Sequence, residues 1–260
     1  MTNSGAREPI PHRRLIWICG VLAAAAGIIA LLGWGLGLLF LASLGSGKIP
    51  MAPSTALLFV LHGAAAFLRT RSPLRRSEYW LVVVVQSAGT LVASLLCVLS
   101  SQGIYLDAEH LGFPAVGTVG GVPIGHMSPV TALCFLLASL SFLASLPSSS
   151  ERPRRAAAAW SFACLLLAAC SVLLLAYLYG TPLLYAGSFI PPAATTSLAF
   201  AALGTALLAL AGPQAWPQRE PDGAATRPAP VLFLVFALLA VGIVTAGYLY
   251  ARSYESQCYS

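Results

Sequence analysis

Long apolar runs separated by short polar segments occupy the chain almost from end to end. A membrane's hydrocarbon core takes about 20 helical residues to cross, with about 17 to 25 as the working range. The runs are continuous in Leu, Ala and Val, which favours helices over the alternating strands of a barrel. The predicted spans are residues 15–36, 53–69, 80–100, 128–146, 157–178, 193–211 and 230–250. We therefore predict an all-α fold, a polytopic membrane helical bundle with seven transmembrane helices.

A short phrase recurs at the start of the second, fourth and sixth spans. It is MAPSTALLF at 51–59, MSPVTALCF at 127–135 and, in a less similar copy, PPAATTSLAF at 191–200. Alignment on leucine brings two further columns into register, threonine (Thr55, Thr131, Thr196) and phenylalanine (Phe59, Phe135, Phe200). The repeat predicts three consecutive helical hairpins followed by a lone seventh helix.

Two interpretations of the phrase stay open. In the first, the residues only start a helix, since proline suits the first turn and hydroxyls satisfy its unpaired backbone groups. In the second, three helix N-termini converge and present partial positive charge and the hydroxyls of Thr55, Thr131 and Thr196 to a ligand.

Composition excludes a water-soluble fold. Hydrophobic residues make up 58 % of the chain and charged residues 8 %, so the expected partner is the lipid bilayer. The net charge of +6 comes mainly from arginines in the short segments between runs. That pattern indicates topology, and no nucleic-acid partner is expected.

The arginines predict the orientation of the spans. They cluster before the first span and in every second segment after it, whereas the alternate segments are nearly free of cations. Under the positive-inside rule, residues 1–14 form a cytoplasmic N-terminal tail and residues 251–260 an extracytoplasmic C-terminal tail. The membrane domain between them is residues 15–250.

Two longer stretches, IPMAPSTALLFVLHGAAAFL and GHMSPVTALCFLLASLSFLA, together with QGIYLDAEHLGF and AGYLYARSYES, resemble a known group. These are the multi-pass, MASE-like N-terminal sensor modules of bacterial histidine kinases and diguanylate cyclases. The resemblance implies a sensory input module in the bacterial inner membrane that signals through its last helix. His126 stands where many relatives carry Arg, and the third phrase lacks its Met and first Pro.

No output machinery is recognisable before Ser260. The sequence has no phosphoacceptor helix, ATP-binding lobe, cyclase motif or other catalytic motif, so we expect no enzymatic activity from these residues. The chain is then a fragment, a truncated product, or a freestanding module that works as a homodimer or with a signalling domain. The alternative function is a non-signalling membrane subunit, either a small-molecule carrier or a scaffold of a larger complex.

Few side chains offer chemistry. His62 is the ionisable residue well within a predicted span; it suits haem ligation, proton relay or quinone contact, or else a hydrogen bond to a neighbouring helix. A bis-histidine haem needs a second His at similar depth, which the sequence does not supply. The outer segment 101–127 contains Asp107, Glu109, His110 and His126 without a recognised metal-ligand spacing. We expect no metal and no cofactor.

The candidate ligand-binding residues are Thr55, Thr131, Thr196, His62 and His126.

Overall fold

The computed structural model describes residues 12–43, 49–71, 75–114, 117–119, 122–146, 152–178 and 192–211. Within these ranges the regular secondary structure is helical apart from one antiparallel pair of two-residue strands, β1 (Thr118–Val119) and β2 (Val122–Pro123). The predicted seventh span and the C-terminal tail lie outside the described residues. For the described residues the prediction of an all-α fold is confirmed, since the two strands hold only two residues each.

Seven α-helices occur in the described ranges, and six of them overlap the first six predicted spans. They are α1 (Arg13–Gly35), α2 (Phe40–Ser43), α3 (Pro53–Arg69), α4 (Arg76–Ser101), α5 (Pro129–Ala144), α6 (Arg152–Leu178) and α7 (Ala194–Ala211), with a 3₁₀ helix at Asp107–His110. By length and hydropathy, α1, α4, α6 and α7 can each cross a membrane. These apolar helices suggest a membrane protein, while the number of crossings stays a prediction.

The phrase starts helices through its proline. In α3 and α5, Pro53 and Pro129 follow residues with extended backbone, Ala52 (ψ 147°) and Ser128 (ψ 152°). Proline's fixed φ suits this first turn, where its missing N–H group had no intrahelical partner. Ser128 also accepts a hydrogen bond from the Thr131 amide at 3.1 Å, which caps the N-terminus of α5.

The helices pack as three hairpins arranged in a ring. α1 packs on α3, α4 on α5, and α6 on α7, as the repeat predicts. Neighbouring hairpins then meet through α3 and α4, α5 and α6, and α7 and α1. The three helices that begin with the phrase, α3, α5 and α7, also contact one another, so they form the centre of the bundle.

Each hairpin combines a long peripheral helix with a shorter central one. α1, α4 and α6 have 23, 26 and 27 residues, whereas α3, α5 and α7 have 17, 16 and 18. The most apolar window is 28–39 % buried in the long helices and 56 % buried in α7. We call the end at which α3, α5 and α7 begin the outer end, after the predicted orientation, and the opposite end the inner end.

Glycines allow α1 and α3 to approach closely. A Cβ atom added at Gly63 would lie 2.5 Å from the Gly20 carbonyl oxygen and 2.7 Å from the Ala24 Cβ. Gly27 faces the Ala56 carbonyl in the same way. Small residues of this kind are typical of contacts between membrane helices, because dispersion forces between close backbones replace the hydrophobic effect there.

Candidate functional site

The three copies of the phrase meet at one small cavity at the outer end. Thr55, Thr131 and Thr196 all line it, together with Ser128 and His126. Its volume is about 10 Å³, which is room for about one water-sized group. The convergence of the three helix N-termini, which the sequence left open, is therefore present in the structure.

Beneath the cavity, the phenylalanine column of the repeat closes the centre of the bundle. The ring centroids of Phe59, Phe135 and Phe200 lie 4.6–4.8 Å apart, and all three side chains are at most 1 % exposed. The tilted and edge-to-face arrangements are those that aromatic quadrupoles favour. Each copy of the phrase thus contributes a threonine hydroxyl to the cavity and a ring to the layer one helical turn deeper.

The threonine hydroxyls differ in what they bind. Thr131 and Ser128 share a hydrogen bond of 2.9 Å between their side-chain oxygens. Thr55 and Thr196 are each 2 % exposed, and neither hydroxyl makes a hydrogen bond to any residue that the structure describes. These two hydroxyls are therefore free to donate to, or accept from, a group that enters the cavity.

A chain of hydrogen bonds holds the wall of the cavity near α1 and α2. The Trp34 indole N–H donates to the Met51 carbonyl at 2.8 Å, and the Met51 amide donates to the Ala42 carbonyl at 2.9 Å. Ala42 accepts a second bond, of 3.1 Å, from the Thr195 hydroxyl at the start of α7. These bonds join α2, the loop that carries Met51, and the start of α7 at the wall of the cavity.

His126 is held by a buried carboxylate. Glu109 Oε1 lies 3.2 Å from His126 Nδ1, and Glu109 Oε2 accepts from the Met127 amide at 2.7 Å. Both side chains are nearly buried, at 5 % and 7 % exposed. Because a carboxylate only accepts, the proton of this bond lies on His126 Nδ1. Glu109 therefore fixes the imidazole at the residue that precedes the second phrase.

A second histidine completes the network. His110 Nε2 lies 3.2 Å from His126 Nε2, so a neutral His126 accepts at that atom and His110 donates. His110 Nδ1 is then a buried acceptor with no partner in the described part of the chain. Gly125, whose φ of 112° an L side chain rarely adopts, leaves room for this ring, since a Cβ there would lie 2.6 Å from His110 Cε1.

The environment of His110 disfavours its charged form. Burial, together with the neighbouring His126, holds the pKa of His110 below its ordinary value of 6.5, against the opposing effect of Glu109 and Asp107. The edge of Trp34 also packs against this ring, with centroids 6.4 Å apart. A proton added to His110 would find no acceptor at Nδ1 among the described groups.

His62 lies deeper in the bundle than the other candidates. Its Nδ1 donates to the Leu58 carbonyl at 2.8 Å, and its Nε2 accepts from the Ser139 hydroxyl of α5 at 2.9 Å. Both ring nitrogens of a neutral imidazole are used by these bonds. His62 thus links α3 to α5 and does not line the cavity.

Four of the five candidate residues therefore come together, namely Thr55, Thr131, Thr196 and His126. Glu109 and His110, considered for a metal on sequence grounds, instead contact His126, and their spacing along the chain did not predict this. Within the described residues no group of three His, Cys, Asp or Glu side chains is arranged to hold a metal ion.

Gln86 of α4 was missed altogether. It is fully buried, and its amide has no partner among the described residues. The sequence did carry a signal for it, because a polar amide in the middle of a predicted membrane span marks a candidate functional residue.

No protein-family model, curated protein or solved structure matches the chain. The resemblance to sensor modules stays a prediction, and functional assignment rests on the residues and their geometry.

Proposed function

We propose that the chain is the membrane-embedded input module of a bacterial signal-transduction protein of the histidine kinase or diguanylate cyclase type. In this proposal it lies in the inner membrane and binds a small polar ligand at its outer end. The observation that carries the proposal is the single cavity shared by Thr55, Thr131 and Thr196, because a ligand there contacts all three hairpins at once.

The chemistry of the lining favours a ligand that offers an oxygen atom. The Thr55 and Thr196 hydroxyls can donate hydrogen bonds, and three helix N-termini add partial positive charge. The Thr131 amide is already bonded to Ser128. Arginine and lysine are absent from the described lining residues. The volume admits one polar group, so a larger ligand would insert a hydroxyl, carbonyl or carboxyl group only.

Packing supports transmission through the bundle. A ligand that draws the three N-termini together would act on Phe59, Phe135 and Phe200 directly below, and close-packed cores shift between discrete arrangements rather than deforming smoothly. Such a shift would reach the inner end through α3, α5 and α7. The prediction is a change at the inner end when the outer cavity is filled.

A ligand screen with a reporter at the opposite end tests this function. Full-length protein in phosphatidylcholine nanodiscs carries an environment-sensitive fluorophore at R154C, an exposed inner-end position, in a C258S background. Acetate, acetamide and glycerol serve as probes for three classes of oxygen. We expect at least one probe to change the fluorescence and to raise the midpoint of thermal unfolding.

The double variant T55V/T196V should abolish both responses, because valine keeps the shape of threonine and removes the hydroxyl. T90V/T205V is the matched control, since these hydroxyls bind carbonyls of their own helices. An unfolding response without a change at R154C would contradict a sensory role. A response that T55V/T196V retains would contradict the site.

A further inference from the structure

A second, larger cavity lies at the inner end, between the start of α1 and the end of α3. Its volume is about 440 Å³, in the range of small-molecule sites. Two helices supply its lining, which is Arg13, Arg14, Trp17, Phe67, Thr70 and Arg71. Basic and aromatic side chains therefore dominate a site that faces away from the outer cavity.

The arginines in this cavity lack an anionic partner in the described part of the chain. The ion-pair contact within the described residues is the one between His126 and Glu109, at the opposite end of the bundle. The Arg71 guanidinium lies over the Phe67 ring, 5.0 Å from its centroid, a cation–π contact that leaves the N–H groups free for a ligand. No described carboxylate compensates the positive charge of this cavity.

The start of α1 adds to the positive potential. Arg13 and Arg14 occupy its first turn, which contains no acidic residue, and His12 provides no side-chain cap. A helix N-terminus carries partial positive charge, so cations in the first turn are unfavourable unless an anion binds. The helix terminus and the cavity are separate observations that indicate the same kind of ligand.

Two other arginines at the inner end, Arg69 and Arg155, have partners within the protein. Arg69 donates to the Ser145 carbonyl at 3.3 Å, and Arg155 donates to the Leu143 carbonyl at 3.1 Å. Both satisfy the C-terminal end of α5. These two arginines have a structural role at a helix end. Arg13, Arg14 and Arg71 differ from them because they line a cavity.

We propose that this cavity binds the phosphate group of an anionic phospholipid. Guanidinium groups bind phosphate oxygens in pairs, and basic pockets at the cytoplasmic side of membrane helices are suited to anionic headgroups. Trp17 is 47 % exposed one turn into α1, where interfacial tryptophans lie at headgroup level. The bilayer is therefore the source of the ligand, and the site does not depend on the proposed sensory function.

Lipid retention measured by native mass spectrometry tests the site. Full-length protein in detergent is titrated with dioleoylphosphatidylglycerol, with dioleoylphosphatidylcholine or with inorganic phosphate. We expect selective retention of phosphatidylglycerol. The double variant R14Q/R71Q should bind it about tenfold or more weakly, since each arginine near a membrane surface contributes appreciably to anionic lipid binding.

The matched control is R76Q/R154Q, which removes two exposed arginines at the same end that do not line the cavity. It should retain phosphatidylglycerol as the wild type does. Equal loss in both variants would mean that general surface charge binds the lipid, and equal retention of both lipids would exclude a headgroup site. Binding of inorganic phosphate without retention of phosphatidylglycerol would overturn the lipid as the source.

Discussion

The rings of Phe59 and Phe200 meet nearly edge to face with centroids 4.6 Å apart, although one belongs to the first hairpin and the other to the third. Phe135 of the second hairpin completes the triangle. Equivalent residues of the three phrases therefore occupy equivalent positions, and they contact one another at the centre of the bundle.

Truncation of one of these rings should destabilise the whole bundle. Phe135→Ala leaves a central cavity, and core substitutions of this type cost about 3–5 kcal/mol of unfolding free energy. The measurement is denaturant unfolding in detergent. Leu133→Ala is the control, because Leu133 belongs to the same phrase but is 48 % exposed. Equal losses in the two variants would contradict a central role for the triangle.

Gly63→Ala should separate α1 from α3. The added methyl group would lie 2.5 Å from the Gly20 carbonyl oxygen, and overpacking of a close contact costs about 1–3 kcal/mol. Gly35→Ala places its methyl group no closer than 3.7 Å to Phe113 and should be neutral or slightly stabilising. Thermal unfolding of the two variants side by side would decide, and a Gly63→Ala protein as stable as the wild type would refute the close approach.

Glu109→Gln should loosen the outer loop. The amide keeps an oxygen for the Met127 N–H group but turns a donor toward His126 Nδ1, where an acceptor is needed. An unpaired buried polar group costs about 1–3 kcal/mol. Asp107→Asn, in the same 3₁₀ helix, is the control. Hydrogen exchange at the Met127 amide should accelerate in Glu109→Gln alone.

Acid should weaken the same network. Burial lowers the pKa of His110 in the folded protein from its ordinary value of 6.5, so the unfolded chain binds more protons below that pH. Stability is then fully present above pH 6.5 and declines as the pH falls toward the lowered pKa. The expected result is a lower midpoint of thermal unfolding at acidic pH.

The matched variant for this prediction is His110→Phe, which keeps a ring beside Trp34 and cannot take up a proton. Its midpoint should depend less on pH than that of the wild type. An identical pH dependence in both proteins would assign the titration to another group.

Reporter fusions test the predicted orientation. Alkaline phosphatase joined after Ser260 should be active, since the C-terminal tail is predicted outside, and the same enzyme joined after Arg75 should be inactive. The reverse result would show that the arginine distribution misleads in this chain.

The extent of prediction from sequence differs between the helices and the site. Leu57, Leu133 and Leu198 form one aligned column and are 37 %, 48 % and 51 % exposed, so the repeat specified even which side faces outward. Helix starts followed from local chemistry, as at Pro53 and Pro129.

Contacts between distant residues were beyond sequence reasoning. The bond between Glu109 and His126 depends on the path of the intervening loop, and the inner cavity depends on α1 lying beside α3 so that Arg14 and Arg71 share a space. Neither periodicity nor spacing encodes these two contacts, because both depend on how whole elements pack against one another.

Because α7 contacts α1, the three hairpins close into a ring. The described bundle is therefore arranged like a trimer whose three subunits are joined in one chain. Every hairpin supplies one wall of the axial cavity, yet the walls are no longer identical, since Ala194 replaces the proline of the other two copies. A true homotrimer must offer a ligand three equal faces. The ligand proposed for this cavity therefore needs no symmetry of its own.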